Sequence, residues 1–384
     1  MTTAFDVRAL GSVVRVELDD SIPDENRDLI KDQWNDLIGD GSEPVVTIAG
    51  SLSEAAQRSD ASNRFISAAS PERLAANIAT EVTLAGLGKL SGSALMLHAG
   101  GVALDDGRVI ALVGPSGRGK TTATQALGRE LGYVTDEALA VRSDLTVIPY
   151  RKPLSIGRHP DAKVPVRASG LGLRELPASP LTLAAIVVLD RRDHVDAPYV
   201  EHVPLLEALN EIVPQTSFLS MLHDPLRTLV TTILSTGGVR RVVYSEAETL
   251  PGLVDEILSA SSAEAPYLVD VNVTAADCGC DAKLNPFQAA APMGEADAAS
   301  IYGRTEYQSA LTVDDSLVVL KNNRVTVLEG IGPVVWFAAD GSTEAELTDA
   351  ALREMPAPPD HIDPAEVVAA TVGELVAADL LVRA

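Results

Sequence analysis

Cysteine is nearly absent. Cys278 and Cys280 are the only two in 384 residues, too few by themselves for a disulfide framework or a four-ligand zinc site. Aromatic residues are also scarce, at 4%, so any core must be built from Ala, Val, Leu and Ile. Positive charge is short: 30 Lys and Arg stand against 54 Asp and Glu, a net charge of −24. That balance argues against nonspecific binding to nucleic acid and against attraction to an anionic membrane surface. No apolar run approaches the roughly 20 residues of a membrane helix; Leu183–Leu189 is among the longer ones. Met1–Leu10 carries Asp6 and Arg8 and does not read as a signal peptide. The expectation is a cytoplasmic protein with no nucleic-acid or membrane partner. The charge does not imply disorder, because 46% of the residues are hydrophobic. The length, at roughly 150 residues per domain, calls for two or three units.

Residues 1–87 mix strand and helix signals. Val14, Val16 and Leu18 alternate with Arg15 and Glu17, as in a half-buried strand, and Val45–Ile48 reads as a second one. Ser70-Pro71 opens a helix with a hydroxyl cap and proline at its first position. Leu74, Ile78 and Val82 then repeat on one face. No site chemistry is visible in this region, which is expected to pack on the domain after it or to shape a substrate site.

Residues 88–260 are richer in signal. Ala94–Leu104 and Arg108–Val113 read as strands around Asp105-Asp106-Gly107, a hairpin signature. Further strands are expected at Val141–Val147, Leu181–Leu189 and Val239–Tyr244. Residues 261–305 read as a linker: 11 of the 40 residues from Ser261 to Ser300 are Ala, and Lys283 is their only basic residue. The two cysteines fall here, in Cys278-Gly279-Cys280, and complete no metal site. Residues 306–384 read as a small α+β unit. Leu311–Leu320 and Val325–Leu328 are strands around Asn322-Asn323, and Gly330–Ala339 holds Trp336, taken as core. Thr343–Glu346 is a capping box. Asp363-Pro364 opens a last helix with Val368, Val372, Leu375 and Val376 on its buried face, and Leu380–Val382 closes the chain as a strand. The order fits a winged-helix-like module, although it offers few basic residues for DNA.

The chemistry centres on Gly114-Pro115-Ser116-Gly117-Arg118-Gly119-Lys120-Thr121, which matches G-x-x-x-x-G-K-[ST] between an expected strand and an expected helix. Glycines in such a loop let backbone N–H groups converge on phosphate oxygens at a helix N-terminus. Lys120 would reach the β- and γ-phosphates of ATP. The Thr121 hydroxyl would ligate Mg2+, and Thr122 continues the cradle. Asp136 and Glu137 come directly after the short strand Tyr133–Thr135. One carboxylate, Asp136 in the leading assignment, could hold Mg2+; the other could take or position the proton of an attacking hydroxyl. Residue types alone do not decide which is the base. His98 ends an apolar strand before Ala99-Gly100-Gly101, where a lone histidine is more often structural than catalytic.

His98 with its glycines, the hairpin, Gly114–Thr121 and Thr135-Asp136-Glu137 together resemble the HPr kinase/phosphorylase family over roughly residues 88–250. The resemblance is closest to the kinase-like proteins associated with peptide modification and polysaccharide genes. It implies a strand-rich α/β P-loop fold similar to that of phosphoenolpyruvate carboxykinase. It also implies that His98 lies near the transferred phosphate, that Lys120 and Thr121 serve nucleotide and metal, and that Glu137 is the base. The family has a second aspartate where this chain has Glu137, and its later signature is poorly preserved around Leu173–Pro180, so neither the reverse, phosphorylase reaction nor HPr itself as substrate is expected. Gly170-Leu171-Gly172 resembles, more weakly, a later Gly-Leu-Gly segment near the family's active site. Residues 306–384 resemble PqqD-like peptide-recognition modules through the paired strands, Gly330-Ile331-Gly332-Pro333-Val334-Val335-Trp336 and the capped helices. In that family a peptide adds a strand to a sheet edge, here expected to include Leu317–Leu320.

The resulting expectation is an ATP- and Mg-dependent kinase that phosphorylates a hydroxyl, serine first, on a peptide or small protein held by the C-terminal module. The alternatives are a kinase for a small metabolite and a nucleotide-dependent peptide-binding scaffold without catalysis. A homo-oligomer is compatible with each.

Overall fold

The computed structural model describes residues 2–39, 41–52, 60, 62–115, 117–157, 163–259, 266–271, 300–359 and 361–384. Ser116, Cys278, Cys280 and most of the alanine-rich stretch therefore lie outside the described residues. The chain is mixed α/β and divides into two compact units. One is Met1–His223 with Thr228–Ala263; the other is Asp224–Arg227 with Glu264–Ala384. Among the described residues, no helix is long and apolar enough to cross a membrane.

The first unit begins with a four-stranded sheet: Thr3–Ala9, Ser12–Leu18, Val46–Ser51 and Asn63–Ser67, in that spatial order. Alternation along Ser12–Leu18 places Val14, Val16 and Leu18 inward, each 0% exposed, as a period of two requires. The helix Pro71–Leu90 lies against this sheet. Its cap is the expected one, the Ser70 side chain accepting from the Arg73 N–H at 3.3 Å. Leu74, Ile78 and Val82 make the buried face. The same core takes in Met96, Ala138, Ala140, Ile148 and Tyr150 from further along the chain. The N-terminal residues thus share one apolar interior with the region that carries the glycine-rich loop.

The second sheet of this unit has six strands, in the order Tyr199–Val203, Val239–Tyr244, Thr182–Arg191, Arg108–Val113, Ala99–Ala103 and Gly132–Thr135. The middle pairings, of Thr182–Arg191 with Val239–Tyr244 and with Arg108–Val113, are parallel. The outer ones are antiparallel. The parallel strands are covered on both faces, which is why they read as continuous apolar runs.

Two strand expectations fail here. Ala94–Leu104 is not one strand. Leu95–Leu97 pairs with Leu139–Val141 and Thr216–Ser217 in a separate four-stranded sheet, whereas Ala99–Ala103 joins the six-stranded one. The chain changes sheets at His98, whose N–H donates to the Gln215 carbonyl at 2.6 Å. A run that is apolar on both faces gives no sign of such a change. Val141–Val147 likewise divides into Leu139–Val141 and Val147–Ile148, which pair with each other. The Asp144 carboxylate accepts from the Thr146 N–H at 2.9 Å, and Leu145 takes φ 66°. This side-chain turn reverses the chain where hydropathy alone continues it.

The helix Lys120–Gly128 packs on one face of the six-stranded sheet through Ala123, Ala126 and Leu127. It comes so close that a Cβ on Gly100 would stand 2.1 Å from Thr124 Oγ1. Gly100→Ala is therefore expected to destabilise the unit by about 1–3 kcal/mol, and adding Thr124→Ala to restore most of the loss. Denaturant unfolding of the single and double variants checks this; an unperturbed single variant contradicts so close an approach.

The second unit contains an antiparallel four-stranded sheet, Leu268–Asp270, Ser309–Val313, Ser316–Lys321 and Arg324–Leu328. A three-stranded sheet orders Asp340–Thr343, Ile301–Arg304 and Leu381–Arg383. Three helices accompany them: Gly332–Ala338, Glu344–Glu354 and Pro364–Ala377. The expected Leu311–Leu320 strand is a hairpin, turning at Asp314 with φ 51°. The expected edge at Leu317–Leu320 is interior, paired on both sides; the edges are Leu268–Asp270 and Arg324–Leu328. Part of the expected linker, Leu268–Asp270, is thus a strand of this sheet. The Thr343–Glu346 capping box is complete in both directions. Asp363 accepts from the Ala365 N–H. Val368, Val372 and Leu375 are buried, but Val376 is 39% exposed and lies off that face. Trp336 is core, 1% exposed, with its ring edge-on to Tyr307.

Candidate functional site

The strand Arg108–Val113 delivers the glycine-rich loop at its carboxyl end, and the helix Lys120–Gly128 leaves from it. Gly117 and Gly119 have φ values of 81° and 88°, the left-handed region that favours glycine. Such a backbone turns successive N–H groups toward one centre. Gly114 is buried, whereas Pro115, Arg118 and Thr122 are exposed. Lys120 is 7% exposed and donates to the Gly114 carbonyl at 2.6 Å. Burial lowers its pKa, against the pull of Glu137 and Asp136.

The short strand Gly132–Thr135 carries the acidic pair to the same place. Thr135 shapes the turn, its hydroxyl accepting from the N–H groups of Glu137 and Ala138 at 3.4 and 3.3 Å. Thr121 at the start of the loop helix donates to Asp136 Oδ2 at 3.2 Å. The Tyr133 hydroxyl stands 3.3 Å from Asp136 Oδ1 and 3.2 Å from the Lys152 carbonyl. Asp136 is 5% exposed, and burial raises its pKa despite the nearby Lys152 and these hydrogen bonds.

Lys152, which carries no sequence signal, ties the pair together. It is 2% exposed, with Nζ 2.5 Å from Glu137 Oε2 and 3.7 Å from Asp136 Oδ1. The two carboxylates raise its pKa more than burial lowers it. Glu137 is held below the usual glutamate range: burial pushes it up, but Lys152, with His98 and Lys120, outweighs that. Glu137 is thus ionised at neutral pH, next to the Lys152 ammonium. Tyr150 lies behind Lys152, and burial pushes its phenol up to about 12. Its hydroxyl is 2.9 Å from Thr83 Oγ1 on the helix Pro71–Leu90.

His98 stands near Glu137, Lys120 and Lys152. Burial, reinforced by Lys120 and Lys152, lowers its pKa more than Glu137 and Asp136 raise it, so its imidazole is neutral at pH 7. His98 and Glu137 line one recess. Gly170-Leu171-Gly172 forms a short turn, and its Leu171 packs with the following Leu173 in the small core that holds Tyr133.

The loop and the acids together fit a nucleotide with Mg2+. Among the described residues the Tyr244 hydroxyl is buried without a protein partner, and it lies 3.6 Å from where a Cβ on Gly119 would stand, a ready donor at the loop. Arg191 also borders Gly119, its Cδ 3.8 Å from the same point. The Thr121 hydroxyl and Asp136 carboxylate are oxygen donors of the kind Mg2+ takes, and Mg2+ needs few of them from protein. Among the described residues, no cluster of three or more His, Cys, Asp or Glu side chains forms a metal cage. Sequence reasoning missed Lys152, Tyr133, Tyr150 and Tyr244 as members of this site. Nothing in the spacing of Tyr150-Arg151-Lys152-Pro153 marks Lys152 except that it lies on no amphipathic face.

No protein-family model matches the chain, and no curated protein matches it. Among solved structures, the HPr(Ser) kinase/phosphatase of Coxiella burnetii is similar over 42% of this chain and 92% of its own, with 13% identity and a TM-score of 0.26. A likeness that distant supports no functional reading, which rests instead on the geometry of the loop and the acidic pair.

Proposed function

We propose that the chain is an ATP- and Mg-dependent kinase that transfers the γ-phosphoryl group of ATP to a hydroxyl, serine in the leading case, of a peptide or small protein. The observation that carries the reading is the convergence on Asp136. The first hydroxyl of the phosphate-loop helix, on Thr121, reaches this buried carboxylate at 3.2 Å, and the adjacent Glu137 is ionised at the mouth of a recess.

In this reading the loop N–H groups and Lys120 bind the phosphates, Lys120 exchanging its loop carbonyl for phosphate oxygen. Thr121 and Asp136 would hold Mg2+, which when bound offsets phosphate charge. Glu137 accepts the proton of the attacking hydroxyl. The new bond joins that oxygen to the γ-phosphorus, the bond from the γ-phosphorus to the β–γ bridging oxygen breaks, and ADP leaves. The neutral His98 orients the hydroxyl without adding charge.

The C-terminal unit is assigned the peptide-holding role, as a winged-helix-like, PqqD-like module. The support is its hairpin-and-helix order and the edge strand Arg324–Leu328, paired on one side only among the described residues. That edge is available for strand addition by an extended peptide.

The test incubates the full chain with Mg2+, γ-labelled ATP and a panel of serine-containing peptides. Label is expected to reach a peptide hydroxyl in the wild type and not in Lys120→Ala. Label that stays on ATP with every peptide, while ATP still binds, sinks the kinase reading in favour of a scaffold.

A further inference from the structure

Phosphoryl transfer needs a seat for the acceptor as well as for the phosphates. The loop supplies only the second. A recess of about 200 Å³ opens at Glu137 and His98. Its far wall is the helix Pro71–Leu90, through Thr80, Leu84 and Leu87, and Ser217 closes another side. The N-terminal residues, which carry no chemistry in the sequence, thus form half of an enclosure whose other half is the proposed base.

Three properties define what fits. The volume is below the roughly 300–1,000 Å³ that encloses a whole drug-sized ligand, so it admits a side chain and its immediate backbone, not a nucleotide. Among the described residues that line the recess, Glu137 is the one acidic side chain, and none is Lys or Arg. Lys152 is committed to the carboxylates and Lys120 to the loop. An anionic acceptor, such as a hydroxy acid or a sugar phosphate, would face Glu137 with no cation among these wall residues. Finally, leucines surround the recess while Thr80 and Ser217 bring hydroxyls to it, a match for a short neutral side chain bearing one hydroxyl. Leu84 in its wall is 43% exposed and Phe218 45%. Phe218, following Ser217, is held at φ 56°. These apolar groups are placed to take the residues flanking the acceptor in a chain.

We propose that this recess is the acceptor site, and that it takes an uncharged serine side chain within a peptide and turns away anionic small molecules. The inference rests on the kinase reading for its chemistry, but the site is testable apart from it. In the transfer, the seated hydroxyl oxygen bonds to the γ-phosphorus, its proton passes to Glu137, and the bond to the ADP oxygen breaks.

The experiment uses the full chain with methyl-labelled leucines and two probes, N-acetylserinamide and its anionic counterpart glycerate. Neutral probe is expected to shift the methyls of Leu84, Leu87 and Leu97, with glycerate giving little. Thr80→Trp, an exposed helix position whose indole covers the mouth, is expected to abolish those shifts and to raise the KM for the neutral probe by about tenfold or more. Its ATP dissociation constant, read separately, should not move. Probe shifts that appear elsewhere, that are absent, or that are equal for glycerate overturn the site. Label transfer to the probe that proceeds as fast in Thr80→Trp as in wild type also overturns it and leaves the kinase reading standing. Probe seated at these leucines with no label moving keeps the site and removes the kinase reading.

Discussion

Replacing Lys152 by methionine is expected to destabilise the first unit by about 3 kcal/mol at pH 7, because it leaves two neighbouring carboxylates without their shared cation. The expected loss is at the low end for a buried pair, since the Glu137 side chain is 45% exposed and solvent screens part of the effect. Methionine keeps the length and apolar stem of lysine, so lost packing is a small part of it. The carboxyls set the sign of the pH dependence. In the wild type Glu137 is held low by Lys152, so its stabilising contribution is present above the unfolded value and fades on acidification. In the variant both folded carboxyls rise above their unfolded values, and the destabilisation appears as pH rises through that range. The gap between the two proteins should therefore narrow below about pH 4–5. Urea unfolding at several pH values measures it. A gap that is small at pH 7, or that does not depend on pH, means that Lys152 is not the counter-ion of this pair.

Glu137→Gln is expected to lower kcat for label transfer by about 10²–10⁴-fold while ATP still binds. Glutamine keeps the shape of the side chain and a partner for Lys152 but accepts no proton. Lys120→Ala should instead lose nucleotide affinity together with transfer, since its ammonium would serve the phosphates. This contrast separates a kinase from a nucleotide-ordered scaffold, for which Glu137→Gln keeps function. Because Glu137 lies below the usual glutamate range, the wild type should hold its kcat through neutral pH and lose it only on strong acidification, as the base takes up a proton. An acid limb near neutrality would point to a different base. His98, already neutral at pH 7, would impose no limb above it.

How far the site could be read from sequence differs from residue to residue. The loop, the capped helices and the parallel strands were legible because each depends on neighbours in the chain. Glycines permit a left-handed turn, Ser70 and Thr343 cap the helices they precede, and buried parallel strands are apolar on both faces. The failures came where partners are distant. The break at His98 is invisible locally because both halves of Ala94–Leu104 are apolar. It is set by the Gln215 carbonyl, more than a hundred residues away. The edge expected at Leu317–Leu320 was misplaced because an apolar strand does not reveal whether one ladder or two will form on it.

By itself the sequence determined a glycine-rich loop of stated composition, an acidic pair after it, a net negative charge, and the helix boundaries that caps impose. These are local matters of backbone conformation and hydrogen-bond supply within a few residues. Only the tertiary structure decided that Lys152 lies between Asp136 and Glu137, that Tyr244 leaves a hydroxyl beneath Gly119, and that the N-terminal helix closes a recess over the proposed base. Such juxtapositions come from burying apolar faces against one another. The hydrophobic effect that does so is non-directional and indifferent to which polar groups it carries along; where those groups meet is a property of the packed chain.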